Sequence, residues 1–171
     1  MLGEQTITQP SEEVYIAGAL FNPEENEHNS KLAKLFRKAG YTVFNPLADG
    51  INGADETKEE DALLLEIHEA DCEKIRGGKI FVANLNGPQV EDGTAYECAI
   101  ASESQRLKKE GILTEGVDLM IGYFNDDRVL TRNMRRNPMP LGPFLKAPNI
   151  VLATRKEIVK YAVQNRPPRN A

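Results

Sequence analysis

Residues 79–106 read KIFVANLNGPQVEDGTAYECAIASESQR, and this stretch decides the fold. Lys79 to Leu85 is a short apolar run suited to a strand buried on both faces, and it ends in a polar, glycine-bearing turn. From Thr94 to Glu110 the apolar residues recur with the period of a helix. Strand, turn and helix in that order are half of a parallel crossover unit. Working outward, the same alternation repeats. Apolar runs at Val14 to Leu20, Thr42 to Phe44, Val117 to Phe124 and Asn149 to Ala153 flank helical patterns at Asn26 to Ala39, Glu59 to Arg76 and Arg155 to Gln164. Five strands and four helices predict an α/β chain with a doubly wound, flavodoxin/Rossmann-like five-stranded parallel sheet, helices on both faces, in a single domain.

In such a sheet, ligands bind beyond the carboxyl ends of the strands where the strand order reverses. That rule selects Gly18 to Asn22, Asn45 to Gly53, Asn84 to Tyr96 and Asn125 to Pro148. The last is long for a silent connection and carries Arg128, Arg132, Arg135 and Arg136, which predicts a functional or subunit-contacting loop. The first 13 residues and the tail from Arg166 to Ala171 read as frayed ends.

A chain of 171 residues, 40% hydrophobic, can fill one core. The net charge of −5 and a pI near 5.2 argue against a nucleic-acid binder, which usually carries a basic stripe. Cys72 and Cys98 have neither metal-ligand nor disulfide-framework spacing, so a reducing compartment and no metal are expected. The opening residues lack a basic and then apolar leader pattern, and no long apolar run spans a membrane, so the expected location is the cytoplasm.

Two carboxylates stand where their types are unexpected. On the helix from Glu59 to Arg76 the apolar stripe runs through Leu64, Ile67 and Ile75, with Leu63 and Ala70 at its margin, and Asp71 falls in its middle. It reads either as an acid reaching out to a loop or to Lys74, or as a buried group for proton transfer. Thr94-Ala95-Tyr96-Glu97 matches a capping box, Thr at the N-cap and Glu three residues on. Glu97 is therefore either a cap or, held ionised by the positive end of the helix dipole, a nucleophile. Carboxylates gathered in this way suit glycosidic-bond chemistry, in which one attacks the anomeric carbon and a protonated neighbour serves the leaving group.

From about Val14 to Met139 these residues resemble the nucleoside 2-deoxyribosyltransferase family. VYIAGALFNP is similar to the family's opening segment, which implies that Tyr15 orients the nucleophile and that Phe21 faces the base beside Gly18. VANLNGPQVEDGTAYECAIA resembles the segment with an acid, a glycine turn and the nucleophilic glutamate: Asp92, Gly93 and Glu97. Asp71 matches the second active-site aspartate. Asn137-Pro138-Met139 resembles the Asn-x-Met element that one subunit lends to its neighbour's site, with Asn133-Met134 a second place for that element to align. Where some members carry a base-binding glutamine, this chain has Asn45-Pro46-Leu47-Ala48-Asp49, so Asp49 stands in for it. The related nucleotide N-glycosidases place a phosphate-holding serine before the nucleophile segment, and none precedes Glu97 in this loop.

The resemblance implies transfer of 2-deoxyribose between nucleobases through a covalent ester on Glu97, with Asp92 or Asp71 as proton donor, and no metal or organic cofactor. The expected partners are 2′-deoxynucleosides, nucleobases and further copies of the chain, with sites shared between subunits. Two rival readings stay open: a hydrolase of nucleosides or their 5′-monophosphates, and a non-catalytic nucleotide-sensing module on the same fold.

Overall fold

Each apolar run forms a strand, trimmed at its ends: β1 is Val14–Ala17, β2 Val43–Phe44, β3 Ile80–Asn84, β4 Leu119–Tyr123 and β5 Ile150–Leu152. The structure, a computed structural model, describes residues 14–51, 53–86, 90–124, 138–146, 148–152 and 154–167. The helices are α1 Pro23–Lys38, α2 Pro46–Asp49, α3 Glu60–Gly77, α4 Asp92–Lys109, α5 Pro138–Leu141 and α6 Arg155–Gln164, with a 3₁₀ turn at Gly142–Leu145. All strands pair in parallel, in the order β2-β1-β3-β4-β5. This is the doubly wound order, and it reverses at β1, between β2 and β3.

Side chains alternate across the sheet, so each central strand feeds two cores. Val14 and Ile16 face α1 and α6, where Leu32, Ala33, Phe36, Ile158 and Ala162 pack against Ile80, Val82 and Ile121. Tyr15 and Ala17 point the other way, toward Ile75 of α3 and Cys98 and Ala101 of α4. The third residue of α6 closes the one capping box of the described helices: Thr154 and Glu157 exchange hydrogen bonds there. Pro23 and the Asn22 side chain, which accepts from the Glu25 amide, start α1.

Three details depart from the sequence reading. Leu64, placed on the buried stripe of α3, is 58% exposed, because the helix turns Leu63, Cys72 and Ile75 inward instead. Helix α4 begins at Asp92, capped by Glu91 rather than Thr94. Part of the long segment before β5 is helical: α5 and the 3₁₀ turn bring Phe144 over Gly122, where any Cβ would lie 2.6 Å from Leu85. The Asn149 amide fastens that turn, donating to the Pro143 carbonyl and exchanging hydrogen bonds with Gln105, while its oxygen accepts from the Met120 amide. Among the described residues no helix is long and apolar enough to cross a membrane.

Candidate active site

The cap on α4 determines where Glu97 goes. The Glu91 carboxylate accepts from the amides of Gly93 and Thr94, at 2.9 and 2.7 Å, and from the Thr94 hydroxyl at 2.8 Å. The Thr94 amide, which a capping box would give to the Glu97 carboxylate, is thus already served by Glu91. Glu97 is left free of the cap. Its Oε1 instead accepts from the Tyr15 hydroxyl at 2.5 Å, a contact between residues 82 positions apart.

Tyr15 is fixed from both sides. It is 1% exposed and stacks on Phe44 at 5.6 Å and on Phe81 at 5.8 Å, so its hydroxyl has one direction to point. Burial, and then the nearby Glu97 and Asp71 charges, push that hydroxyl far above the ordinary phenol range, so it stays a donor. The acceptor is perturbed as well. Burial pushes the Glu97 carboxyl up to about 8; the Tyr15 hydrogen bond pulls it back, and the charges of Asp71 and Glu91 push it further up.

This corrects the expectation that the helix dipole keeps Glu97 ionised at neutral pH. With α4 starting at Asp92, Glu97 lies beyond the first turn, where the dipole's stabilisation of about 0.3 to 1 kcal/mol has fallen away and desolvation wins. Asp71, half-buried, is also raised by burial, with His68 pulling it down.

These groups line a cavity of about 220 Å³ at the carboxyl ends of β1 and β3. Two helices furnish its sides with the same spacing: His68, Asp71, Cys72 and Ile75 from α3, and Gly93, Tyr96, Glu97 and Ile100 from α4, each i, i+3, i+4, i+7. Gly18 to Phe21, after β1, form its third wall. Gly18 is closely packed: a Cβ there would lie 3.1 Å from both Asn29 and Asn84, whose side chains would have to give by a few tenths of an ångström. The His68 and Tyr96 rings meet at 5.8 Å, and Phe21 is 83% exposed.

Of the residues expected from sequence, Tyr15 and Glu97 are in direct contact, and Glu97 lines one cavity with Asp71, Gly18, Phe21 and Gly93. Asp92 is not part of it: the side chain is exposed on the outer side of the first turn, held below the usual carboxylate range by hydrogen bonding with Glu91 and with the Gly93 amide. Glu91 lines the cavity in its stead. Asp49 is also elsewhere, because its carboxylate accepts from Arg37 at 2.7 Å and from the Asn45 amide at 2.8 Å, tying α1 to the turn after β2. Met139, on α5, is 80% exposed and outside the cavity, and Asn137 falls outside the described residues, as do the loop arginines. Sequence reasoning missed Glu91, His68 and Tyr96, although the helical spacing from Asp71 and Glu97 carried a signal for the last two.

A family model described as nucleoside 2-deoxyribosyltransferase matches residues 14–142. The chain belongs to that family. The matched span holds β1 to β4 and every residue that lines the cavity, so the family's segment and the site coincide.

Solved structures agree on the family fold. A conserved protein from Enterococcus faecalis V583 aligns at 19% identity and a TM-score of 0.69, covering 92% of this chain and 100% of its own. A 2-desoxiribosyltransferase from Leishmania mexicana aligns at 16% identity and a TM-score of 0.56, covering 91% of this chain and 99% of its own. A CMP N-glycosidase from Clostridium botulinum aligns at 14% identity and a TM-score of 0.47, over 90% of this chain and 98% of its own, too distant to bear on the reaction. No curated protein matches the sequence.

Proposed function

We propose that this chain transfers 2-deoxyribose from one nucleobase to another by double displacement, with Glu97 as nucleophile and Asp71 as acid and base. The observation that carries the reading is the Glu97 carboxylate, withdrawn from its helix cap, half-buried in the cavity and held by Tyr15 at 2.5 Å. The productive state has Glu97 ionised and Asp71 protonated. Their mutual repulsion favours leaving one proton on the pair, and Tyr15 donates to Glu97 in that state.

Glu97, through the oxygen that Tyr15 leaves open, bonds to the anomeric carbon as the carbon–nitrogen bond breaks. The bonding pair leaves on the base, which takes the proton of Asp71. An incoming base gives a proton to Asp71, attacks the same carbon from the other face and expels the Glu97 carboxylate, so configuration is retained. Asp71 is preferred to Asp92 as proton carrier because it lines the cavity and holds its proton to higher pH. Every group used belongs to the chain, so the scheme calls for no metal or cofactor.

Substrates lacking the electron-withdrawing 2′-hydroxyl form the oxocarbenium-like transition state more readily, which favours 2′-deoxynucleosides. The cavity's rim is open: Phe21, Tyr96 and, farther along α3, Leu64 expose 83, 57 and 58% of their surface. A second copy offering Asn137 and Met139 would complete it, and the active form in this reading is a homo-oligomer with shared sites. The role is nucleoside salvage in the cytoplasm, where the free thiols of Cys72 and Cys98 stay reduced.

The test is to incubate the protein with deoxyinosine and adenine and to follow products by chromatography. Deoxyadenosine is expected. Free deoxyribose at a rate indifferent to adenine would make the chain a hydrolase instead, and ligand-dependent stabilisation without turnover would make it a sensor.

A further inference from the structure

A second cavity, of about 660 Å³, lies between α1 and the start of α6, remote from Glu97. Its walls are Lys31, Lys34, Lys38, Arg155 and Lys156, with Leu35 and Thr154 completing them, and among the described residues no carboxylate lines it. Five cations converge here in a chain whose net charge is −5. Lys31, Lys34 and Lys38 follow the i, i+3, i+7 spacing of one helix face, a row about 10 Å long at about 1.5 Å per residue. Lysines so spaced repel one another, and among the described residues nothing in the lining offsets the three that have no ion-pair partner there, Lys34, Lys38 and Lys156. The acids nearby are already engaged: Glu27 pairs with Lys31 at 2.9 Å, and Glu157 is closed in the Thr154 capping box.

Arg155 is held in place by a group that adds no charge. It donates to Nδ1 of His28 at 2.9 Å, and His28 stacks on the buried Tyr123 at 5.2 Å. Burial, then the charges of Arg155 and Lys31, lower His28 to about 4, so it accepts this hydrogen bond as a neutral ring. The arginine is thereby fixed at the wall of the groove. The concave shape disfavours a flat membrane surface. Its volume falls in the range of small-ligand sites, about 300 to 1,000 Å³, and the Leu35 side chain with the lysine stems gives it an apolar floor.

We propose that this groove binds a polyphosphate chain, free or as the triphosphate of a nucleotide, at a site separate from the Glu97 cavity. The lysine row takes successive phosphates and Arg155 takes two oxygens of one of them. Where the ligand is a nucleoside triphosphate, its base lies on the apolar floor. The proposal does not depend on the transfer reaction.

Calorimetric titration at low salt with inorganic tripolyphosphate, and separately with ATP, tests it. Both probes should bind at one site per chain, and Glu97→Gln should leave that binding unchanged. Tighter binding of ATP identifies the nucleotide as the source, and equal binding identifies the phosphate chain alone. The pair Lys34→Glu and Lys156→Glu should weaken either probe by roughly tenfold or more, a change that reads directly as affinity. The control pair Lys109→Glu and Lys160→Glu, exposed and outside the groove, should leave it within about twofold. Absence of binding by both probes, or equal losses in the two double variants, would overturn the proposal, the latter because it reports diffuse attraction rather than a site.

Discussion

The two faces of the sheet use the same strands for different ends. Tyr15 and Ile16 are neighbours on β1, yet Ile16 enters an aliphatic and aromatic core under α1 and α6, whereas Tyr15 enters a layer that opens into a cavity with three carboxyl groups. The contrast extends to the helices. Of the 16 residues of α1, Leu32, Ala33 and Phe36 are fully buried in apolar contact. Helix α3, with 18 residues, buries as many, Leu63, Cys72 and Ile75, but it also leaves Leu64 and Leu65 exposed. One face closes as an apolar core; the other opens into the cavity that the three carboxyl groups line. Substitutions on the two faces should therefore separate rate from stability.

The largest effect expected is on rate. Glu97→Gln keeps the shape and can still accept from Tyr15, but its amide is not a nucleophile. Turnover of deoxyinosine with adenine should fall by about 10⁴-fold or more with the fold retained by circular dichroism. Tyr15→Phe removes one donor and keeps the aromatic stack, so kcat should fall about 10²-fold. Phe36→Ala, on the opposite face, should destabilise by about 3 to 5 kcal/mol in denaturant titrations while activity per folded molecule stays unchanged. If Phe36→Ala altered kcat as strongly as Tyr15→Phe, the two faces would not be separable.

A smaller effect concerns pH. The folded chain holds a proton on Glu97 up to about 8, whereas the unfolded chain releases it near 4.5, so the native state binds more protons between these values. Stability from this group is present below pH 4.5 and is lost as pH rises through about 8. Glu97→Gln has no such proton, and its melting temperature should gain on that of the wild type from pH 5 to pH 9. A constant gap would mean that Glu97 is ionised in the folded chain throughout. The rate should follow a bell: kcat/KM rises as the Glu97 and Asp71 pair loses its first proton and falls as it loses the second, because the productive state keeps one proton on the pair.

Much of this contrast was legible in the sequence. The five apolar runs, each with strand composition and a polar stop, dictated the parallel sheet, and Asp71 in an apolar stripe marked the unusual face. What the sequence hid was competition between neighbours. Glu91, Asp92, Thr94 and Glu97 are all plausible partners for the amides at the start of α4, and only the fold shows that Glu91 takes them and leaves Glu97 free. Asp49 was misplaced for a similar reason, since its partner Arg37 lies 12 residues away on α1. Leu64 fits the helical period of α3, but the period does not reveal that Leu63 is turned inward in its place.

The central claim is that Glu97 carries the sugar. It is tested most directly by mass spectrometry of wild-type protein exposed to a 2-fluoro-2-deoxyarabinosyl nucleoside, whose fluorine slows breakdown of a glycosyl ester. One added sugar on the peptide that contains Tyr96-Glu97-Cys98, absent from Glu97→Gln, is the predicted result. The sugar on Asp71, Asp92 or Glu91, or turnover of this nucleoside without any adduct, would contradict it.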